Sequence, residues 1–103
     1  MGDGLPIQDE RQGRRTPEAL PETYYQQKHL PGAINLPHDV SDEVISKVLP
    51  AKQAEIIVYC ASGPCPNSGI LAQRLVHLGY QNVSDFHIGK AGWEEAGYEF
   101  VNN

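Results

Sequence analysis

The only two cysteines of the chain fall in one short stretch, "IIVYCASGPCPNSGILAQRL" (56–75). Cys60 ends an apolar run, Cys65 sits in a loop of Gly, Pro and Ser, and helical spacing of apolar residues follows. The thiolate, not the thiol, is the nucleophile, so the chemistry depends on what the loop does for a negative charge. Small residues and glycine in "ASGPCPN" (61–67) let backbone N–H groups turn inward as an anion-binding nest, while Pro64 and Pro66 give no donors. The candidate loop residues are Ala61, Ser62, Gly63, Cys65, Asn67 and Ser68. A helix capped by Ser68 would aim its positive end at the loop, an effect of about 0.3–1 kcal/mol and up to ~2 kcal/mol when partly buried. Together these predict a Cys60 thiol held below its ordinary pKa. From Ile56 to Ser84 there is no carboxylate, and Arg74 is the only Lys or Arg, so the stretch reads as tolerant of anions.

Other uses of these residues stay open. A cysteine at the end of a buried strand also serves as a small apolar residue. The C-x4-C spacing is not the C-x2-C of zinc knuckles or thioredoxin-like sites, and two cysteines make no disulfide framework. His29, His38, His77 and His87 are scattered, so neither a metal site nor a cofactor is expected.

The elements that must position Cys60 follow from patterning. "EIIVYC" (55–60) is a continuous apolar run, the mark of a central strand buried on both faces. "LPIQD" (5–9) reads as a short strand demoted by Pro6, and "ERQGRRTPEALPET" (10–23), polar with two prolines, as a long surface loop. "TYYQQKH" (23–29) makes a turn or two of helix, Pro31-Gly32 a turn and "AINL" (33–36) a short buried strand. Ser41 caps "DEVISKVL" (42–49), whose apolar stripe is Val44, Ile45, Val48 and Leu49. Leu71, Leu75 and Leu78 mark the next helix face, and Gly79 closes it. "NVSDFHI" (82–88) is another strand, and "KAGWEEAGY" (90–98) a last short helix. Strands alternating with helices predict parallel βαβ units, with helices on both faces of the sheet.

The 103 residues suit one domain of ordinary soluble composition, with 40% hydrophobic and 20% charged residues. A net charge of −5 argues against a nucleic-acid partner, since Arg14 and Arg15 alone make no basic face. No apolar run approaches a membrane span, and the N-terminus has no signal-peptide pattern. With the free thiols, this places the chain in the cytoplasm.

Four segments, in order, resemble the single-domain rhodaneses, a family of sulfurtransferases. They are "KHLPGAINLP" (28–37), "IVYCASG" (57–63), "ILAQRLVHLGYQNV" (70–83) and "GKAGWEEAGY" (89–98). Asp9-Glu10-Arg11 can be read as the family's structural D-x-R. The resemblance implies a three-layer α/β sandwich with a mostly parallel sheet of four to five strands. It also implies a thiosulfate sulfurtransferase-like activity. Cys60 would take a sulfane sulfur from a small anionic donor as a persulfide, then pass it to cyanide or a thiol, a protein thiol included.

Departures from the family pattern shape the alternatives. The loop is two residues longer than the usual one and lacks its arginine, so anion binding would fall to amides, the helix end and Lys90. Cys65 stands where that arginine would be, and could either resolve the Cys60 persulfide as a disulfide or be a bystander. The strand and helix expected before D-x-R are short or missing, and an uncovered sheet edge would favour a dimer. A thiol redox relay through Cys60 and Cys65, and a silent rhodanese-like binding module, remain the alternatives.

Overall fold

The computed structural model describes residues 14–102. Four strands form one parallel sheet: β1 (Pro17–Glu18), β2 (Ile34–Asn35), β3 (Ile56–Tyr59) and β4 (Val83–Phe86), in the order β2-β1-β3-β4. Four helices connect and cover them: α1 (Glu22–Gln27), α2 (Asp42–Val48), α3 (Asn67–His77) and α4 (Gly89–Glu95). This is the three-layer α/β architecture expected.

The layers follow from the two-residue alternation of β3, whose residues are all buried. Ile56 and Val58 pack with Ile45 and Leu49 from the α2 side and Leu71 and Leu75 of α3. Tyr59 turns to the opposite face, with Leu30, Ala33 and Trp93 of α4. An apolar run buried on both faces is what a central parallel strand requires.

The expected surface loop over 10–23 is corrected. Thr16 to Leu20 are buried, and β1 lies inside the sheet, between β2 and β3. Alternation turns residues 15, 17 and 19 toward β3: the Arg15 amide donates to Glu55 O at 2.8 Å and the Ala19 amide to Tyr59 O at 2.8 Å. Pro17 has no N–H for the rung between them, so the ladder skips one bond. Two prolines and a glutamate hide an inner strand from any reading of pattern. The expected strand at 5–9 and the Asp9 to Arg11 segment lie outside the described residues.

Local chemistry sets the helix ends. Ser41 Oγ accepts from the Val44 amide at 3.2 Å and starts α2 as expected. Of its predicted stripe, Ile45 and Leu49 are buried, but Val44 is exposed. Gly79, at φ +97°, turns the chain after α3, and Tyr80 returns to the core with its hydroxyl on Leu49 O. No helix of the described residues is long and apolar enough to cross a membrane.

Candidate functional site

Cys60 follows β3 directly, at the carboxyl end of a central parallel strand, where open α/β sheets gather their functional groups. Its backbone is clamped from the far side of the loop. The Lys90 amide donates to Cys60 O at 3.0 Å and the Ala91 amide to Ala61 O at 2.9 Å, so the start of α4 holds the loop's first residues. Gly89 makes this approach possible. Its φ is +58°, and a Cβ there would stand 2.3 Å from Cys60 O.

The Cys60 side chain is fully buried. Its Sγ lies 3.4 Å from Cys65 O and 3.5 Å from Ser68 Oγ. A bond from the Cys65 amide to Ser62 O (3.0 Å) folds the loop back over the sulfur. Burial pushes the Cys60 thiol up, and the hydrogen bond to Cys65 adds to this, while the Ser68 hydroxyl and amide pull the other way without prevailing. The expected lowering of Cys60 is therefore corrected: its sulfur is wholly buried, and its hydrogen bond to the Cys65 side chain favours the protonated form. The loop's donors favour the second cysteine instead. Burial raises the half-buried Cys65, but hydrogen bonds from the Cys60 thiol and the amides of Ala61 and Asn67 outweigh it, and the net direction is down.

Other expected residues take different places. Ser68 is not the helix cap: α3 begins at Asn67 after Pro66, with no side-chain cap, and the buried Ser68 faces Cys60. The Asn67 side chain ties the loop to β1 by donating to Ala19 O at 3.2 Å. Gly63 lies open, with nothing within 4 Å of an added Cβ, beside a groove of 410 Å³ lined by Ile88, Ala91, Gly92, Glu95 and Ala96.

Lys90 does not serve the loop as a spare cation. It is buried, its Nζ 3.0 Å from Glu18 Oε2 and donating to Tyr24 O at 3.1 Å. Glu18 is wholly buried, and its other oxygen accepts from the Tyr59 hydroxyl at 2.6 Å. That hydroxyl in turn accepts from the Leu30 amide at 3.2 Å. Burial, with Glu18 beside it, pushes the Tyr59 phenol far up, so it stays a neutral donor. This Glu18–Tyr59–Lys90 network underlies the clamp on Cys60. Arg74 is also occupied, on His38 O, Val40 O and Asp42. The carboxylate-free stretch is not carboxylate-free in space: Asp85 of β4 sits 3.7 Å from where a Gly69 Cβ would be, and its charge acts on Cys65.

The model of the rhodanese-like domain matches residues 10–96. The chain belongs to the rhodanese-like domain family. It is 38% identical over 66 residues to the thiosulfate sulfurtransferase PspE of Escherichia coli (strain K12), covering 64% of this chain and 61% of that protein. It is 35% identical over 84 residues to the adenylyltransferase and sulfurtransferase UBA4 of Candida albicans, covering 76% of this chain but 19% of that one. The chain thus spans less than two thirds of the length of either relative. Among solved structures it resembles a rhodanese with anions from E. coli, at a TM-score of 0.71 and 28% identity, covering 87% of this chain and 99% of that one.

Sequence patterning does not single out Glu18, Tyr59 or Asp85. Gly89 leaves a signal there, as the glycine of Ile88-Gly89 between an apolar strand and a helix. The other three act through contacts between strands and helices distant in the chain.

Proposed function

We propose that the chain is a sulfurtransferase that carries sulfane sulfur on Cys60. The observation that supports this best is the position of Cys60, at the carboxyl end of β3 with the Ser68 hydroxyl and amide on its sulfur. Both curated relatives named above are sulfurtransferases by name.

With thiosulfate as donor, the Cys60 thiolate attacks the outer sulfur, the S–S bond of the donor breaks and sulfite leaves. Cyanide or a thiolate then attacks the outer sulfur of the persulfide and frees the Cys60 thiolate. Ser68 stabilises that thiolate at both stages, by its hydroxyl and its amide. The loop of Ala61, Ser62, Gly63, Cys65 and Asn67 is the side on which the anionic donor binds, with Ala61 and Gly63 exposed and Cys60 buried beneath it. The reaction needs Cys60 as a thiol, which suits a reducing compartment such as the cytoplasm.

The test is thiocyanate formation from thiosulfate and excess cyanide. The Cys65→Ser chain, with Cys60 as its one thiol, should form it catalytically, and adding Cys60→Ser should reduce it to the uncatalysed rate. The uncatalysed rate in both would remove Cys60 from the reaction and leave a binding module.

A further inference from the structure

The loop holds a second sulfur that simple sulfur transfer does not use. Cys65 reaches Cys60 through the Ser62–Cys65 turn, which places its backbone oxygen 3.4 Å from Cys60 Sγ. A disulfide needs its two sulfurs to meet, and the Cys60 and Cys65 thiols already hydrogen-bond each other. Pro64 and Pro66 flank Cys65 and restrict its backbone, and Gly63 just before them is exposed.

Building on the sulfurtransferase reading, we propose that Cys65 resolves the Cys60 persulfide, making the chain a sulfide-releasing enzyme that a dithiol must regenerate. The Cys65 sulfur attacks Cys60 Sγ, the bond from Cys60 to the sulfane sulfur breaks, and the Cys60–Cys65 disulfide forms. The sulfane sulfur leaves as hydrosulfide with the bonding pair, reduced as the two protein sulfurs are oxidised; the Cys65 proton goes with it. A small or protein dithiol then reduces the disulfide, becoming a disulfide itself and restoring both thiols.

The attacking sulfur is the one that the amides of Ala61 and Asn67 favour as thiolate.

The experiment adds thiosulfate to the reduced, desalted chain without oxygen or added thiol, and follows sulfide and intact mass. The wild-type chain should release about one sulfide per chain and end about 2 Da lighter, as a disulfide. Cys65→Ser and Cys65→Ala should release none and stay about 32 Da heavier by one retained sulfur, which also shows that both variants fold. A wild-type chain that keeps the added sulfur as Cys65→Ser does, with no sulfide, overturns the resolving role alone. If no chain gains sulfur or releases sulfide, the sulfurtransferase reading falls and this proposal with it.

Discussion

Removing Lys90 should destabilise the protein through the charge it leaves behind. The Glu18 side chain is fully buried and that of Lys90 is 10% exposed, so the 3.0 Å ion pair is an interior one. Removing one partner of such a pair costs about 3–5 kcal/mol, because the other charge stays buried without compensation. Lys90→Met keeps most of the side-chain volume but leaves Glu18 with only the Tyr59 hydroxyl. At about 4–8 °C per kcal/mol for a domain near this size, its midpoint should fall by ~12 °C or more. Adding Glu18→Gln removes the orphaned charge and should recover most of the loss, giving a coupling energy of several kcal/mol in a double-mutant cycle. The exposed Lys28–Glu94 pair, 3.8 Å apart with side chains 49% and 68% exposed, is the internal control. Glu94→Gln should cost less than about 1 kcal/mol. Urea and thermal unfolding followed by circular dichroism read these three variants and Glu18→Gln alone, which completes the cycle. A Lys90→Met cost below about 1 kcal/mol, or a double variant as unstable as the sum of the singles, would refute the reasoning.

Gly89→Ala should slow sulfur uptake at least about tenfold, because the new Cβ would meet Cys60 O at 2.3 Å and displace the nucleophile. Stopped-flow uptake and urea unfolding together separate that displacement from the cost of left-handed backbone, about 1–2 kcal/mol. Iodoacetamide at pH 7 should label Cys65 before Cys60 by peptide mass mapping, since one thiol is pushed down and the other up. Because the thiolate reacts, Cys60 labelling should rise only as pH climbs above the ordinary thiol range; Cys60 labelled first at pH 7 would contradict the electrostatics. Asp85→Asn removes a carboxylate acting on the loop, so KM for thiosulfate should fall about two- to fivefold at low salt and the difference should shrink at high salt.

The strand that carries Cys60 is legible because "IIVY" is a short, β-branched apolar run that suits a strand buried on both faces, and the alternation of strands with helices then implies the layers. β1 was hidden because Pro17 and Glu18 are poor strand residues locally, and only the Tyr59 and Lys90 partners explain a buried glutamate there. Sequence spacing also located the loop but not its polarity. Whether carbonyls or amides face Cys60 depends on the Ser62–Cys65 turn, and the charge beside Cys65 comes from Asp85 on another strand. Lys90 looked free because its carboxylate partner lies 72 residues earlier in the chain (90 − 18).

The most direct test of sulfur transfer through Cys60 is intact-mass spectrometry in the Cys65→Ser background, where the resolving thiol is absent. Reduced and treated with thiosulfate, this chain should gain about 32 Da, one sulfur that cyanide removes, and the gain should vanish when Cys60→Ser is added. No gain, or a gain that survives the loss of Cys60, would contradict the account.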